Sequence, residues 1–258
     1  ALARLRAHFD DPLFVREGRG VKPTAMADAL MPAVRDALDR LRAGLEQRST
    51  FEPSRSTRVF NISARDAGAF ILGPEMARRL ETEAPGIRIA WSQVQRGHIS
   101  TELASGRLDL AIDVADLRGR DLESVELLAT PYACVMSRDH PSAGKELAMD
   151  DFVALRHVVV SSRREGRSYV EEIARAAGHR ITPVMRLPHH MPALEIVRRT
   201  HLVATVPLPL AESSGLAVLP LPPVFPHLRS VLYWRRENAE DPALAWLRDL
   251  VQQLAEAS

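Results

Sequence analysis

The chain has 258 residues, 46% of them hydrophobic and 26% charged, a composition that supports a core of ordinary size and roughly two domains. Its one cysteine, Cys134, excludes an intrachain disulfide, and no apolar run approaches the ~20 residues of a membrane-spanning helix. The net charge of +1 excludes a uniformly basic nucleic-acid coat, so any contact with DNA must rest on a local basic surface.

The first residues, Ala1-Leu2-Ala3-Arg4-Leu5-Arg6, already lie inside a helical pattern with no cap and no secretory leader, so further chain is expected upstream. This short helix ends near Phe9, where Asp10-Asp11-Pro12 breaks it. Residues 13–23 read as a hairpin around a glycine turn, carrying Arg16, Arg19 and Lys22. Thr24 is a predicted N-cap. After it, Met26, Leu30, Val34, Leu38, Leu41 and Leu45 recur every three or four residues and form one apolar stripe. The helix should run to about Arg48, a length of roughly 36 Å, with Pro32 as a point of bending. A lone helix cannot bury such a stripe, so a second copy of the same helix is its expected partner.

Residues 49–57 are polar, interrupted by a proline, and read as a linker. Strands and helices then alternate. Strands are predicted at Arg58–Ser63, Ile87–Val94, Leu108–Val114, Tyr132–Met136, His157–Val160, Val184–Leu187, Leu202–Val206 and Val231–Trp234. Helices are predicted at Gly68–Glu83, Ser100–Ser105, Tyr169–Ala177, Pro192–Arg199 and Ala243–Leu254. The alternation predicts an α/β fold with helices on the faces of largely parallel sheets, and the strands suffice for two small sheets.

Residues 1–24 resemble the end of a LysR-type winged helix-turn-helix. The resemblance is carried by Arg4-Leu5-Arg6, Phe9-Asp10-Asp11-Pro12-Leu13-Phe14-Val15-Arg16, Gly18-Arg19-Gly20 and Pro23-Thr24. Pro85-Gly86-Ile87, Gly106-Arg107-Leu108-Asp109-Leu110-Ala111-Ile112 and Ser137-Arg138-Asp139-His140-Pro141 look like landmarks of that family's effector domain. The family's DNA-binding domain has about two more helices ahead of this point. Their absence from the sequence puts autonomous DNA binding in doubt, and weak, salt-sensitive, unselective binding is the expectation.

The resemblance implies a periplasmic-binding-protein-like effector domain over residues 58–258. Residues 58–129 plus 230–258 would form one subdomain and 130–229 the other, after a winged-helix remnant (1–24) and a dimerisation helix (25–50). It implies a cytoplasmic regulator that forms homodimers and often tetramers. Promoter DNA, a small-molecule effector and RNA polymerase would be its partners, with no membrane and no cofactor. A solute-binding protein and a regulator that has lost DNA binding are the competing readings.

The implied phosphate-facing residues are Arg4, Arg6, Arg16, Arg19, Lys22 and Thr24, groups that position a protein on DNA without reading bases. In α/β folds ligands sit beyond the carboxyl ends of strands. Ser63, Arg65 and Asp66 have that position, as do Ser161, Ser162 and Arg163, and His189 and His190; Thr130 lies at the implied crossover. Hydroxyls, helix N-termini and an arginine suit an anionic ligand. The adjacent histidines do not chelate one metal ion naturally, and no cysteine or carboxylate stands at ligand spacing. Cys134, in an apolar strand, reads as a buried inert thiol. No catalytic motif is present, so an enzyme is not expected.

Overall fold

The computed structural model describes residues 2–17, 20–46, 51–115, 117, 119, 121–162 and 166–257; within these, the side chains of residues 17, 36 and 39–46 are not described. Arg19 and Arg163, and the side chains of Leu41 and Leu45, therefore lie outside the described residues.

The N-terminal unit forms as its sequence predicts. Helix α1 (Leu2–Phe9) stops at the Asp-Asp-Pro break, and β1 (Phe14–Glu17) pairs antiparallel with β2 (Gly20–Pro23). Asp11 ties the break together: its Oδ1 accepts the Leu13 N–H at 2.6 Å and the Thr24 hydroxyl at 2.7 Å. Thr24 in turn accepts the Ala27 N–H, an N-cap bond at the start of α2 (Ala25–Glu46). Helix α2 continues through Pro32.

Two five-stranded sheets follow. The first contains β3 (Val59–Ser63), β4 (Arg88–Ser92), β5 (Leu110–Val114), β6 (Leu122–Thr130) and the late strand β12 (Leu228–Arg235), in the order β4-β3-β5-β12-β6. The second contains β7 (Tyr132–Met136), β8 (His157–Val160), β9 (Met185–Leu187), β10 (Val203–Pro207) and β11 (Ala217–Pro220), in the order β11-β7-β10-β8-β9. Helices α3 (Asp66–Glu83), α4 (Arg96–Ala104) and α9 (Pro242–Glu256) accompany the first sheet. Helices α5 (Met149–Ala154), α6 (Tyr169–Ala176), α7 (His190–Arg198) and α8 (Leu208–Ser213) accompany the second. The chain passes between the sheets at Pro131 and again between β11 and β12.

The expected largely parallel sheets are mixed instead. β3 runs parallel to β4 and β5, and β8 parallel to β9 and β10. β12 is antiparallel to β5 and β6, and β7 is antiparallel to β10 and β11. The antiparallel strands flank the two passages, where the chain enters a sheet from its neighbour and not through a local helix. Strands β6 and β11 and helices α5 and α8 were not predicted. β6 carries Glu123 and Glu126 and buries neither face cleanly, and α5 and α8 are too short to show a helical period.

Each sheet has its own core. Phe60, Ile62, Met76, Leu110, Leu244 and Leu247 are fully buried in the first subdomain. Val135, Val158, Val197, Val206 and Leu210 are buried in one cluster of the second, and Phe152 and Met136 in another. Cys134 belongs to that last cluster, and burial pushes its thiol up to about 12, as expected of an inert side chain. Gly86 has a steric role: a Cβ there would stand 2.5 Å from the Ser56 carbonyl oxygen.

The first core is also braced by a buried charge cluster. Arg58 reaches Asp241 at 2.8 Å and Asp109 at 3.3 Å. Asp109 accepts the Asn61 N–H in β3, and Asp241 caps α9 through the N–H groups of Ala243 and Leu244.

Candidate functional site

The carboxyl ends of β3 and β8 and the start of β10's neighbour α7 converge on a cleft between the two sheets. The cleft holds a cavity of about 280 Å³ bounded by Arg65, Tyr132, Ser161, Tyr169, His190 and Thr205. A smaller space of about 70 Å³ lies beside it, against Thr130 and Ile112. A third, of about 360 Å³, is bounded by Ser63, Gln93, Gln95, Arg96 and Ser162. Arg65 and Val114 border all three.

Arg65 is positioned by the strand-to-helix turn between β3 and α3, where it is the N-cap residue with extended backbone. Its guanidinium is half-buried and makes no hydrogen bond or ion pair among the described residues. Its charge acts on Tyr132: burial pushes the Tyr132 phenol up to about 12, and Arg65 opposes part of that rise. Tyr132 packs against Tyr169 at a centroid distance of 5.3 Å with the rings tilted by 43°, giving the 280 Å³ cavity an aromatic wall. The Thr205 hydroxyl is buried without a hydrogen-bond partner among the described residues, and its side chain borders the same cavity. The cleft therefore offers a cation unpaired among the described residues and an aromatic wall, with an unused hydroxyl buried in its lining.

Arg65, Thr130, Ser161, Ser162 and His190 border the cleft cavities. Ser63 borders the third cavity, but it is 3% exposed and its hydroxyl oxygen accepts the Val94 N–H. Asp66 is engaged by His190. His189 is exposed at the N-cap of α7 and borders none of the three cavities described. The two histidines differ because α7 starts at His190, whose side chain turns toward the first subdomain.

Tyr132, Tyr169, Thr205 and Arg96 were missed. Tyr132 could have been found from its place just after the crossover, and Thr205 as a polar residue inside the apolar run Val203-Ala204-Thr205-Val206. Nothing local marks Tyr169.

At the other end of the chain, Arg4, Arg6, Arg16 and Lys22 are all exposed. Arg6 donates through Nε to the Pro12 carbonyl at 2.7 Å, so it also helps to hold the break. Thr24 is half-buried and its hydroxyl is engaged by Asp11 and by the Ala27 N–H. Along α2 the stripe is uncovered: Met26 is 40% exposed, Val34 49% and Leu38 47%, with Leu30 partly covered.

The LysR substrate binding domain family matches residues 54–256. The chain is 32% identical over 258 residues to the HTH-type transcriptional activator NagR of a Ralstonia species, covering 98% of this chain and 86% of that one. It is 32% identical to the HTH-type transcriptional activator NahR of Pseudomonas putida, with the same coverage. Among solved structures it resembles the probable transcriptional regulator PA0477 of Pseudomonas aeruginosa, with 33% identity and a TM-score of 0.80 over 98% of this chain and 85% of that one.

Proposed function

Since the chain belongs to the LysR family of transcriptional regulators, we propose that it senses a small organic anion in the cleft between its two subdomains and acts on DNA as a dimer. One observation carries the ligand class: half-buried Arg65 borders all three cavities described in the cleft, and its guanidinium is unpaired among the described residues. A cation kept partly from water is costly unless something pairs it, and a carboxylate can do so bidentately. Ser161 and Thr130 supply further hydrogen-bonding positions along the same walls. The relatives are regulators, which supports a sensing role for the cleft and not catalysis in it. No helix among the described residues is long and apolar enough to cross a membrane. Because the relatives are transcriptional regulators, we place the protein in the cytoplasm with its DNA.

The test is a thermal-shift screen of small carboxylates, each beside its neutral amide. A ligand that binds only the folded state raises the midpoint by mass action. A carboxylate should stabilise the protein while its amide does not. Arg65→Gln should weaken binding by about 10- to 150-fold, the equivalent of one charge-assisted hydrogen bond of about 1.5–3 kcal/mol. Stabilisation by neutral compounds alone, unchanged in Arg65→Gln, would mean that the cleft does not select an anion.

The DNA proposal rests on the exposed hairpin. Arg16 and Lys22 would touch phosphates, where each contact releases counterions. Replacing both with alanine should weaken binding to all duplexes alike and flatten the salt dependence by about two units of log–log slope. A loss confined to one sequence would show instead that the hairpin reads bases. The RNA polymerase contact and a tetrameric state remain part of the same family-based proposal.

A further inference from the structure

Helix α7 is capped by a residue of the other subdomain. Its own N-cap, His189, places no side-chain bond on the first turn. The N–H of His190 donates instead to Asp66 Oδ2 at 2.5 Å, and His190 Nδ1–H donates to Asp66 Oδ1 at 2.7 Å. Asp66 is the first residue of α3 and belongs to the first subdomain, while His190 belongs to the second. One carboxylate therefore lies between the N-termini of two helices, both of which favour negative charge.

The contact is sheltered, with side-chain exposures of 4% for His190 and 21% for Asp66. Burial pushes the Asp66 carboxyl up, but the hydrogen bonds and charge of His190 and the Ala67 N–H outweigh it and hold the pKa below the usual value. An ionised carboxylate only accepts, so Nδ1 of His190 must carry the proton.

The position of this pair decides its consequence. The two subdomains are joined covalently at Pro131 and through the segment between β11 and β12. An opening of the cleft that parts the Asp66 end of α3 from the His190 end of α7 breaks this contact. Both Arg65, the neighbour of Asp66, and His190 border the 280 Å³ cavity.

We propose that Asp66 and His190 form a latch that holds the cleft in its closed arrangement before a ligand enters. Breaking the latch raises the share of open molecules, because each arrangement is weighted by the contacts it makes. The device exists without any ligand, so it stands or falls separately from the anion reading.

Spin labels on Glu81→Cys and Lys145→Cys, one exposed site in each subdomain, report the closure directly by pulsed electron resonance. Cys134 is fully buried and does not compete for label. Labelled chains are diluted into an excess of unlabelled ones, so that only distances within one chain are read. The parent protein should give one narrow distance distribution. Asp66→Ala should add a second, broader component, with the open population raised roughly five- to tenfold, the factor that a lost cap implies. His190→Phe, which keeps the backbone bond, should give a smaller shift of the same sign and serves as the readout if Asp66→Ala fails to fold. A distribution that stays native in a folded Asp66→Ala protein, or in His190→Phe where the alanine variant is lost, overturns the latch.

Discussion

Replacing Arg58 with methionine should lower the unfolding midpoint by roughly 6–20 °C, an effect of about 3–5 kcal/mol at ~2–4 °C per kcal/mol. Arg58 is 14% exposed and stands between Asp109, also 14% exposed, and Asp241, 6% exposed. Methionine fills much the same volume, so the cost comes from two carboxylates left in a poorly hydrated site without their cation. Desolvation already raises the Asp109 pKa, with the Asn61 N–H and Arg58 opposing it. Without Arg58 the rise should be larger. A carboxyl whose pKa is raised on folding holds its proton more tightly in the folded state, so lowering the pH favours the fold at that group. The gap between parent and variant should therefore narrow from pH 7 to pH 5. Thermal unfolding at both pH values checks this, and a gap that is small at pH 7 or widens in acid would show that the cluster is well solvated.

The second large effect concerns assembly. Val34→Asp combined with Leu38→Asp should convert the proposed dimer to monomers. Both side chains are about half exposed on α2, along the same face as Met26. Burying a valine or leucine is worth about 1.5–3 kcal/mol. A two-fold interface repeats each substitution, so four side chains are lost and about 6–12 kcal/mol with them. That corresponds to at least about four orders of magnitude in Kd. Light scattering after size exclusion gives the answer, and a dimer that survives the double substitution places the main interface elsewhere.

The elements that could be read from sequence are those whose own residues impose a period or a stop. Strands Tyr132–Met136 and His157–Val160 match residue for residue, because each is a short apolar run bounded by polar or turn residues. The hairpin at 14–23 and the Thr24 cap follow from local chemistry in the same way. Strand β6 did not reveal itself, since its burial depends on β12, which pairs with it from about a hundred residues away. The candidate site divides along the same line. Arg65 was found because a strand-to-helix turn predicts its place at a strand end. Tyr169 and Thr205 enter the cleft only through the packing of α6 and the register of β10.

The sequence by itself determined the family, the α/β alternation, the amphipathic helix and the basic hairpin, because each rests on residues within about one helix or hairpin of one another. The tertiary structure decided the rest. Pairing strands from distant parts of the chain made the sheets mixed, since register and direction follow from which segments meet and not from either segment alone. The same long-range closure left Arg65 without a partner among the described residues of the cleft and brought Asp66 onto the first turn of a helix 124 residues away. It also selected His190 over its neighbour, because a helix start sends adjacent side chains in different directions and only one of them faces the other subdomain.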